Sequence, residues 1–343
     1  MITQPLKILV VTAEWPAFPG DVTGIFIANQ VNALKRLGDT VDVFPYRGER
    51  NPLRYLRAFV QLGRRIAQGY DILHAHNGQT GLLAVLSRHP KVVVTFHGSD
   101  VNGVRNLNGK TTLTGHVLQA VSRYVAGRAR KAIVVDEGMK SRLPAREYHT
   151  LPCGVDPELF KPRAKSECRR LLGYSQEGSM VLFAADPHAP VKRYWLAEAV
   201  VAQLSRRLPC RLVVARNVPH EKMPVYMSAC DALLLTSSSE GSPTVVREAL
   251  ACNLPVVSVN VGDVQARISG IEGCVVCSSD DPSIIARDLE TVLRSNVRID
   301  VRRCAEEWSE NAIACQLRGI YESLLTSSER HSAETSDRLV ELC

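Results

Sequence analysis

Residues 231–259 read DALLLTSSSEGSPTVVREALACNLPVVSV and contain one complete strand–loop–helix–strand unit. The apolar run at 231–236 predicts a buried strand, and the Ser- and Gly-rich residues after it predict a loop. PTVVREALA has helical spacing, and 255–259 is again a short apolar run. Strands joined through a helix lie parallel in one sheet, so this stretch predicts a βαβ unit.

The same alternation of short apolar runs and helical patterns continues from end to end of the chain. A chain of 343 residues is long enough for two hydrophobic cores. The sequence therefore predicts an α/β protein with two Rossmann-like, parallel-sheet domains that face each other across a cleft. We predict strands at 7–12, 40–45, 71–76, 91–96 and 131–135 in the first domain, and at 180–185, 211–215, 231–236, 255–259 and 273–277 in the second.

Turn residues and prolines interrupt both the helical and the strand pattern in LPCGVDPELFKPRAK, residues 151–165. This segment predicts the link between the two domains, which we assign to residues 1–155 and 156–308. The end of the chain, 328–343, is polar and weakly patterned, so we expect a flexible tail there.

The net charge of +7 is unevenly distributed, because residues 1–155 carry +10 and the rest of the chain carries −3. Within residues 54–69, apolar side chains are interleaved at helical spacing with Arg54, Arg57, Arg64 and Arg65. Such a helix either lies on an anionic membrane surface or packs on the core with a solvated arginine face, and the sequence leaves both open. No nucleic-acid-binding motif accompanies the charge, so we expect no nucleic-acid partner.

No apolar run reaches the roughly 18 residues that span a bilayer, and the opening MITQPLKILVVTAEW is too short and too quickly polar for a signal peptide. The ten cysteines occur mostly singly on apolar stretches, which is typical of reduced thiols in the cytosol. Their only close pair, CVVC at 274–277, lacks a second pair at zinc spacing. We therefore expect a cytoplasmic protein without a metal site.

The loop in residues 237–243 has features of a site for an anionic ligand. Pro243 fits the first turn of the following helix and Ser242 can cap it, so free amides and the helix dipole there can hold a phosphate. Glu240 precedes this turn and Glu248 lies about a turn and a half into the helix, so the two can reach hydroxyl groups on either side. A phosphate between two polyols describes a sugar nucleotide. The spacing alone fits an ordinary loop with two solvated glutamates equally well.

Other predicted strand ends carry residues suited to the same ligand. Lys192 and Arg193 follow the strand at 180–185 and supply the positive charge that a diphosphate needs. His97 comes directly after the strand at 91–96, and Gly24 allows the backbone after the first strand to approach a ligand closely. Each of them also fits a structural role, as a solvated basic pair, a buried histidine and a plain turn.

With these residues in place, the chain resembles the large family of retaining GT-B glycosyltransferases of the family-4 type, over roughly residues 6–326. The resemblance rests on the first loop ending in Gly24, on FHGSD, GVDPELFKP and the Lys192 loop, and on the E-x7-E spacing from Glu240 to Glu248 followed by EALACNLPVVSVNVGD. The segment EEWSENAIACQLRGIYESLL is similar to the terminal helices of the family, so a helix over 309–327 is expected to return to the first domain. GIFIANQV, DPHAPVKR and EGSPTVVREALACNLPVVSV are most similar to bacterial enzymes of cell-surface polysaccharide assembly, including the teichuronic-acid type.

The resemblance implies a retaining, metal-independent transferase that moves a sugar from a nucleoside diphosphate sugar, bound by the second domain, to a glycan or lipid-linked acceptor, bound by the first. It implies no cofactor besides the co-substrate, and the absence of a D-x-D element implies no bridging metal. The departing phosphate oxygen is expected to help deprotonate the acceptor. The catalytic residues implied are His97, Lys192 and Glu240. The donor-binding residues expected are Gly24, Lys192, Arg193, Gly241, Ser242, Thr244 and Glu248.

Two departures from the family pattern affect the diphosphate site. The usual Gly-Arg before the lysine is replaced by Ala185-Asp186, so one cation is lost, and Arg193 and His188 are the two candidates to compensate. The usual E-G-F-G turn reads EGSP, so Pro243 offers no amide and Thr244 must supply it.

Other functions fit the same residues. A sugar-nucleotide epimerase or hydrolase would turn over the donor without an acceptor. A nucleotide-sugar-binding partner subunit with weak activity is suggested by the missing arginine. A Rossmann oxidoreductase is disfavoured because neither half carries the G-x-G-x-x-G fingerprint.

Overall fold

The computed structural model describes residues 4–18, 20–46, 52–104, 106 and 110–340. Its strands form one six-stranded and one five-stranded sheet, and all pairs within them are parallel. Parallel strands are buried on both faces and read as continuous apolar runs, which is why the sequence reveals them. The α/β class and the two-sheet architecture are therefore confirmed.

The first sheet has the order β2-β1-β3-β4-β5-β6. Its strands are β1 (Lys7–Thr12), β2 (Thr40–Pro45), β3 (Ile72–His76), β4 (Val92–Phe96), β5 (Lys131–Val134) and β6 (His149–Thr150). The helices between them are α1 (Ile25–Arg36), α2 (Pro52–Ile66), α3 (Gly78–Leu86), α4 (Ser99–Asn102) and α5 (Leu113–Arg128), and a 3-10 helix spans Glu137–Arg142.

The second sheet has the order β11-β10-β9-β7-β8. Its strands are β7 (Ser179–Phe183), β8 (Cys210–Val214), β9 (Ala232–Leu235), β10 (Val256–Val259) and β11 (Val275–Cys277). Its helices are α6 (Lys165–Leu171), α7 (Tyr194–Leu204), α8 (Met223–Ala229), α9 (Thr244–Ala251), α10 (Val264–Ile268), α11 (Pro282–Ser295) and α12 (Arg302–Ala305), with 3-10 helices at Pro190–Lys192 and His220–Lys222.

All ten strands that the sequence predicts are present, with ends within two residues of the predicted ones. The sequence misses β6, which is only two residues long and pairs with the end of β5. Two residues are too few to show a periodicity, so no pattern in the sequence marks this strand.

The last helix, α13 (Glu310–Val340), returns to the first domain as expected. Its apolar face, which includes Ile313, Leu317 and Tyr321, packs in the same core cluster as Ile8 of β1 and Ile27 of α1. Helical backbone continues to Val340, across most of the 328–343 segment for which the sequence favours a flexible tail. Residues 341–343 lie outside the described part of the chain.

Candidate active site

The carboxyl ends of the strands of both sheets border a cleft of about 650 Å³ between the two domains. Each sheet has the 2-1-3-4-5 order, in which ligands bind where the strand order reverses. These points lie between β1 and β3 in the first domain and between β7 and β9 in the second. Loops from both points line the cleft, with Glu14 and Asn77 on the first-domain side and Lys192 and Glu240 on the second-domain side.

A lysine–glutamate pair lies on the second-domain side. Nζ of Lys192 is 2.5 Å from Oε1 of Glu240, and both side chains are mostly buried. The Thr236 hydroxyl donates to the carbonyl of Lys192 at 2.8 Å, and the Ser238 amide donates to the carbonyl of Val191 at 2.8 Å. These bonds tie the loop after β7 to the loop after β9. A cation and a carboxylate are thus fixed side by side, and they are suited to a phosphate and a hydroxyl group.

The helix α9 begins at the edge of the cleft, but not in the way that the sequence predicts. Pro243 is its N-cap residue rather than part of its first turn, and no side chain caps it. The predicted capping role of Ser242 is wrong, because its hydroxyl donates to Oδ2 of Asp263 at 2.8 Å. The same hydroxyl accepts a hydrogen bond from Nη2 of Arg247 at 2.5 Å.

The guanidinium of Arg247 holds the turn before α9 in place through Ser242 and Asp263. It is 1% exposed and lies 2.5 Å from the Asp263 carboxylate. Gly241, Ser242 and Thr244, which the sequence assigns to the donor site, all line the cleft above it. The amino end of α9 therefore faces the cleft with its first backbone amides and its dipole, which favours a negatively charged group.

Glu248 lies in the last turns of α9 and lines a small cavity beside the main cleft. Thr244 lines both spaces. Oε1 of Glu248 accepts a hydrogen bond from Nε2 of His220 at 2.9 Å, and the His220 ring packs on Phe160 with centroids 5.0 Å apart. Burial lowers the pKa of His220, but the hydrogen bond and charge of Glu248 outweigh it and raise that pKa above its usual value. The pair therefore favours a charged imidazolium and carboxylate.

His97 lines the cleft from the first domain, as the sequence predicts. Its Nε2 is 2.9 Å from Nδ1 of His76, and its Nδ1 is 4.0 Å from Sγ of Cys153. Burial lowers the pKa of His97 to about 4 and raises the pKa of Cys153 to about 12, so both groups are neutral at physiological pH. A neutral imidazole can bind a hydroxyl group without placing a positive charge next to the donor sugar.

The backbone around His97 is held by a buried carboxylate. Asp100 accepts hydrogen bonds from the amides of Gly78, His97 and Gly98 at 3.1, 3.2 and 2.9 Å. Burial raises the pKa of Asp100, while these amide bonds act to lower it. The FHGSD motif thus carries its own anchor, and this anchor also reaches the start of α3.

The two domains touch at the edge of the cleft through glycines. Gly98 has φ 131°, and a Cβ there would lie 2.9 Å from the amide nitrogen of Gly241. A Cβ on Gly241 would in turn collide with the carbonyl oxygen of His97. Nδ2 of Asn102 donates to the carbonyl of Glu240 at 3.1 Å across the same junction. The donor-side turn and the FHGSD loop are therefore in direct backbone contact.

Arg193 and Gly24, two predicted donor-binding residues, do not line the cleft. Arg193 has a left-handed backbone, with φ 49°, and its guanidinium donates to the carbonyl of Thr236 at 2.6 Å and pairs with Asp280 at 2.5 Å. Gly24 has φ 65° and packs against the carbonyl of Glu14, where any Cβ would clash. In this conformation both residues support the walls of the site instead of facing a donor.

His188 does not replace the cation that the family usually places before the lysine. The His188 side chain is exposed and does not line the cleft. Asp186, which stands at the position of the missing arginine, pairs with Nε of Arg216 at 3.2 Å. Among the described residues, Lys192 is the only basic side chain that lines the cleft besides the neutral His97.

Sequence reasoning misses Glu14, His220 and Arg247. Glu14 follows β1 at the point where the strand order reverses, so its position after a predicted strand was an available signal. His220 and Arg247 act on residues 28 and 16 positions away, Glu248 and Asp263, and no local pattern reveals such partners.

Comparisons with known proteins agree with this architecture. Residues 6–159 match the model of Glycosyltransferase Family 4, and residues 188–295 match that of Glycosyl transferases group 1. The chain is a glycosyltransferase, with a family-4 domain followed by a group 1 domain. TuaC of Bacillus subtilis, named as a teichuronic acid biosynthesis glycosyltransferase, is 26% identical over 76% of this chain and 82% of its own length. A D-inositol 3-phosphate glycosyltransferase of Catenulispora acidiphila is 26% identical over 73% of this chain and 70% of its own.

Solved structures show the same fold at low sequence identity. Sucrose-phosphate synthase from Thermosynechococcus elongatus superposes with a TM-score of 0.77 at 18% identity, covering 94% of this chain and 100% of that one. Anabaena HepE, solved in complex with UDP, gives a TM-score of 0.69 at 14% identity, covering 93% and 100%. The GT-B fold of this glycosyltransferase is thereby confirmed.

Two further observations concern the described part of the chain. None of its helices combines the length and the apolar character needed to cross a membrane. Within it, no three His, Cys, Asp or Glu side chains are grouped so as to hold a metal ion.

Proposed function

We propose that this glycosyltransferase transfers a sugar from a nucleoside diphosphate sugar to a glycan or lipid-linked acceptor in polysaccharide biosynthesis, without a metal ion and with retention of the anomeric configuration. The observation that carries the proposal is the Lys192–Glu240 pair, 2.5 Å apart, beside the amino end of α9. A fixed cation and backbone amides at this point suit a diphosphate, and the adjacent carboxylate suits sugar hydroxyl groups.

The roles of the residues follow from the charge that develops during the reaction. As the bond from the anomeric carbon to the phosphate oxygen breaks, negative charge grows on the diphosphate, where Lys192 and the α9 amides stabilise it. The acceptor oxygen bonds to the anomeric carbon on the same face, and its proton passes to the departing phosphate oxygen. Glu240 holds the sugar and Glu248 the ribose, so no protein base is consumed.

Relatives support the substrate classes. TuaC is named for teichuronic acid biosynthesis, and HepE has been solved in complex with UDP-glucose. We therefore place this chain in the assembly of a cell-surface polysaccharide with a nucleotide sugar as donor. NMR of the product after a short reaction distinguishes retention from inversion, and unchanged turnover in EDTA is expected if no metal takes part.

The decisive experiment compares Lys192→Ala with Glu240→Gln. A thermal-shift screen of UDP-glucose, UDP-galactose, UDP-N-acetylglucosamine and GDP-mannose first identifies the donor. Lys192→Ala is expected to weaken donor binding in calorimetry by roughly 10- to 100-fold, because it removes a charged contact to the diphosphate. Glu240→Gln is expected to lower kcat more than donor affinity. Unchanged behaviour in both variants would refute the placement of the donor, and donor turnover without acceptor as the sole activity would favour an epimerase or hydrolase.

We further propose that the enzyme is cytoplasmic and works at an anionic inner membrane surface through α2. One side of this helix exposes Leu53, Leu56 and Val60 by 75, 63 and 48%, and Arg57 and Arg64 border the same groove. Apolar side chains flanked by arginines suit insertion among anionic headgroups.

Cosedimentation with phosphatidylglycerol vesicles at low salt tests this proposal. Wild-type protein is expected to bind, and a Leu56→Glu/Val60→Glu variant is expected to stay in the supernatant. Leu171→Glu, at an equally exposed leucine of the second domain, serves as the control and should bind like the wild type. Equal binding by both variants would exclude α2 as the contact.

A further inference from the structure

Glu14 is a carboxylate on the first-domain wall of the cleft that the roles assigned so far do not use. It follows β1 and lines the cleft together with Asn77 and His97. No hydrogen bond or ion pair joins its carboxylate to any residue in the described ranges. Glu14 is partly buried, and its carboxylate has no protein partner within the described ranges, so it is left available to a ligand in the cleft.

The backbone of Glu14 is fixed, so its side chain starts from a defined point on the cleft wall. The Thr12 hydroxyl accepts from the Glu14 amide at 3.0 Å and donates to the Glu14 carbonyl at 3.0 Å. Gly24, at φ 65°, packs against the same carbonyl just before α1 begins. The chain thus uses two separate contacts to present this one carboxylate to the cleft.

The charges around the cleft are divided between its two walls. On the second-domain wall Lys192 is paired with Glu240, and the amino end of α9 beside this pair favours a phosphate. On the other wall, burial and the charge of Asp100 raise the pKa of Glu14, and Asp100 is itself buried. An anionic group is disfavoured there, whereas a neutral hydroxyl group can donate a hydrogen bond to the carboxylate.

We propose that Glu14 binds a hydroxyl group of the acceptor and so orients a neutral sugar for attack on the donor. This inference rests on the proposed transferase function and adds the residue and the acceptor chemistry. Glu14 remains hydrogen-bonded throughout. The acceptor proton leaves with the diphosphate as described above, so the carboxylate is unchanged at the end of the cycle.

The test separates transfer to a sugar from transfer to water. Donor hydrolysis and transfer to a panel of neutral p-nitrophenyl glycosides are measured with the four nucleotide sugars named above. Glu14→Gln keeps the size of the side chain and removes its charge, so transfer kcat/KM for the glycoside is expected to fall about 10- to 100-fold. Donor hydrolysis and donor affinity in calorimetry are expected to stay within about twofold. Glu147→Gln, at an exposed glutamate of the same domain, is the control and should match the wild type in both reactions.

The possible outcomes are distinguishable. Loss of transfer to glycosides with intact donor hydrolysis supports the acceptor role of Glu14. An equal loss of both reactions, or a loss of donor affinity, would show that Glu14 serves the donor and would overturn the inference. Full transfer activity in Glu14→Gln would overturn it as well, while leaving the proposed function intact. A wild-type protein that releases no nucleoside diphosphate from any of the four donors would overturn both.

Discussion

Single residues in this protein do their work through partners that are distant in sequence. Glu248 shows this, because the family resemblance gives it the ribose while the structure adds His220 at 2.9 Å. One carboxylate oxygen is thereby engaged and the other stays available for a hydroxyl group. His220 is surrounded by the carboxylates of Glu248, Glu310 and Glu221, which favour its protonated form.

This arrangement makes donor binding sensitive to pH through His220. Because its pKa is raised, the imidazolium that holds Glu248 is present at low pH and is lost as the pH rises through that value. We expect the donor KM to rise severalfold between pH 6 and pH 9 in the wild type, with a smaller change in kcat. His220→Gln should show a high donor KM that varies little with pH. Steady-state kinetics over this range checks both statements.

The exposed His116 offers a matched control for that experiment. His116→Gln removes an imidazole from the surface of α5 and should reproduce the wild-type profile. A wild-type donor KM that is flat with pH, or a His220→Gln variant that retains the wild-type rise, would contradict the role given to His220.

At the scale of elements, the turn between β9 and α9 has to approach the other domain closely. A Cβ on Gly241 would meet the His97 carbonyl and would lie 3.0 Å from Cγ2 of Val135. Gly241→Ala is therefore expected to push this turn away from FHGSD, at a cost of about 1–3 kcal/mol in the free energy of unfolding. Because the same turn presents the α9 amides, we expect kcat/KM to fall by at least about tenfold, as measured by steady-state kinetics and urea unfolding.

A second glycine, Gly319, provides the control that distinguishes a steric clash at Gly241 from the general effect of a glycine-to-alanine substitution. Gly319 lies within α13 with nothing near its missing Cβ, so Gly319→Ala should raise stability by about 0.5–1 kcal/mol and leave turnover unchanged. If Gly241→Ala were as active and as stable as Gly319→Ala, the contact between the domains at this turn would contribute to neither activity nor stability.

Elements were more predictable than side-chain directions. The ten parallel strands stand out because they are short and mainly apolar, and six of the predicted site residues reach the cleft because strand ends converge there. Ser242 was misassigned as a cap because Asp263, 21 positions away, binds its hydroxyl. Arg193 turns from the cleft because its left-handed backbone brings the guanidinium to the carbonyl of Thr236. Such competition between local preference and distant partners cannot be read from spacing.

At the scale of the whole molecule, a line of buried histidines connects the returning helix to the cleft. The Tyr321 hydroxyl of α13 lies 2.6 Å from Nδ1 of His74, and the rings of His74 and His76 are 4.4 Å apart. His76 then contacts His97 at the cleft. Burial lowers the pKa of His74 to about 3 and that of His97 to about 4, and it lowers the pKa of His76 as well. The packing of α13 on the first sheet thus depends on imidazoles that are neutral.

Acid should therefore destabilise the fold before it protonates most carboxylates. Between the ordinary histidine pKa of about 6.5 and the lowered values, the unfolded chain binds protons that the folded chain does not, so stability falls as the pH decreases through this window. Buried carboxyl groups with raised pKa values, such as Asp39 and Asp100, act in the opposite direction.

The difference in the free energy of unfolding between the wild type and a histidine variant cancels the contribution of these carboxyl groups, because both proteins contain them. We expect the free energy of unfolding of His74→Gln, measured in urea from pH 7.5 to 4.5, to match the pH dependence of the wild type above about pH 6.5 and to be less steep below it, by up to about one proton or roughly 1.4 kcal/mol per pH unit. The exposed His116→Gln should keep the wild-type slope, and equal slopes in all three proteins would mean that His74 is charged, or accessible to water, in the folded state.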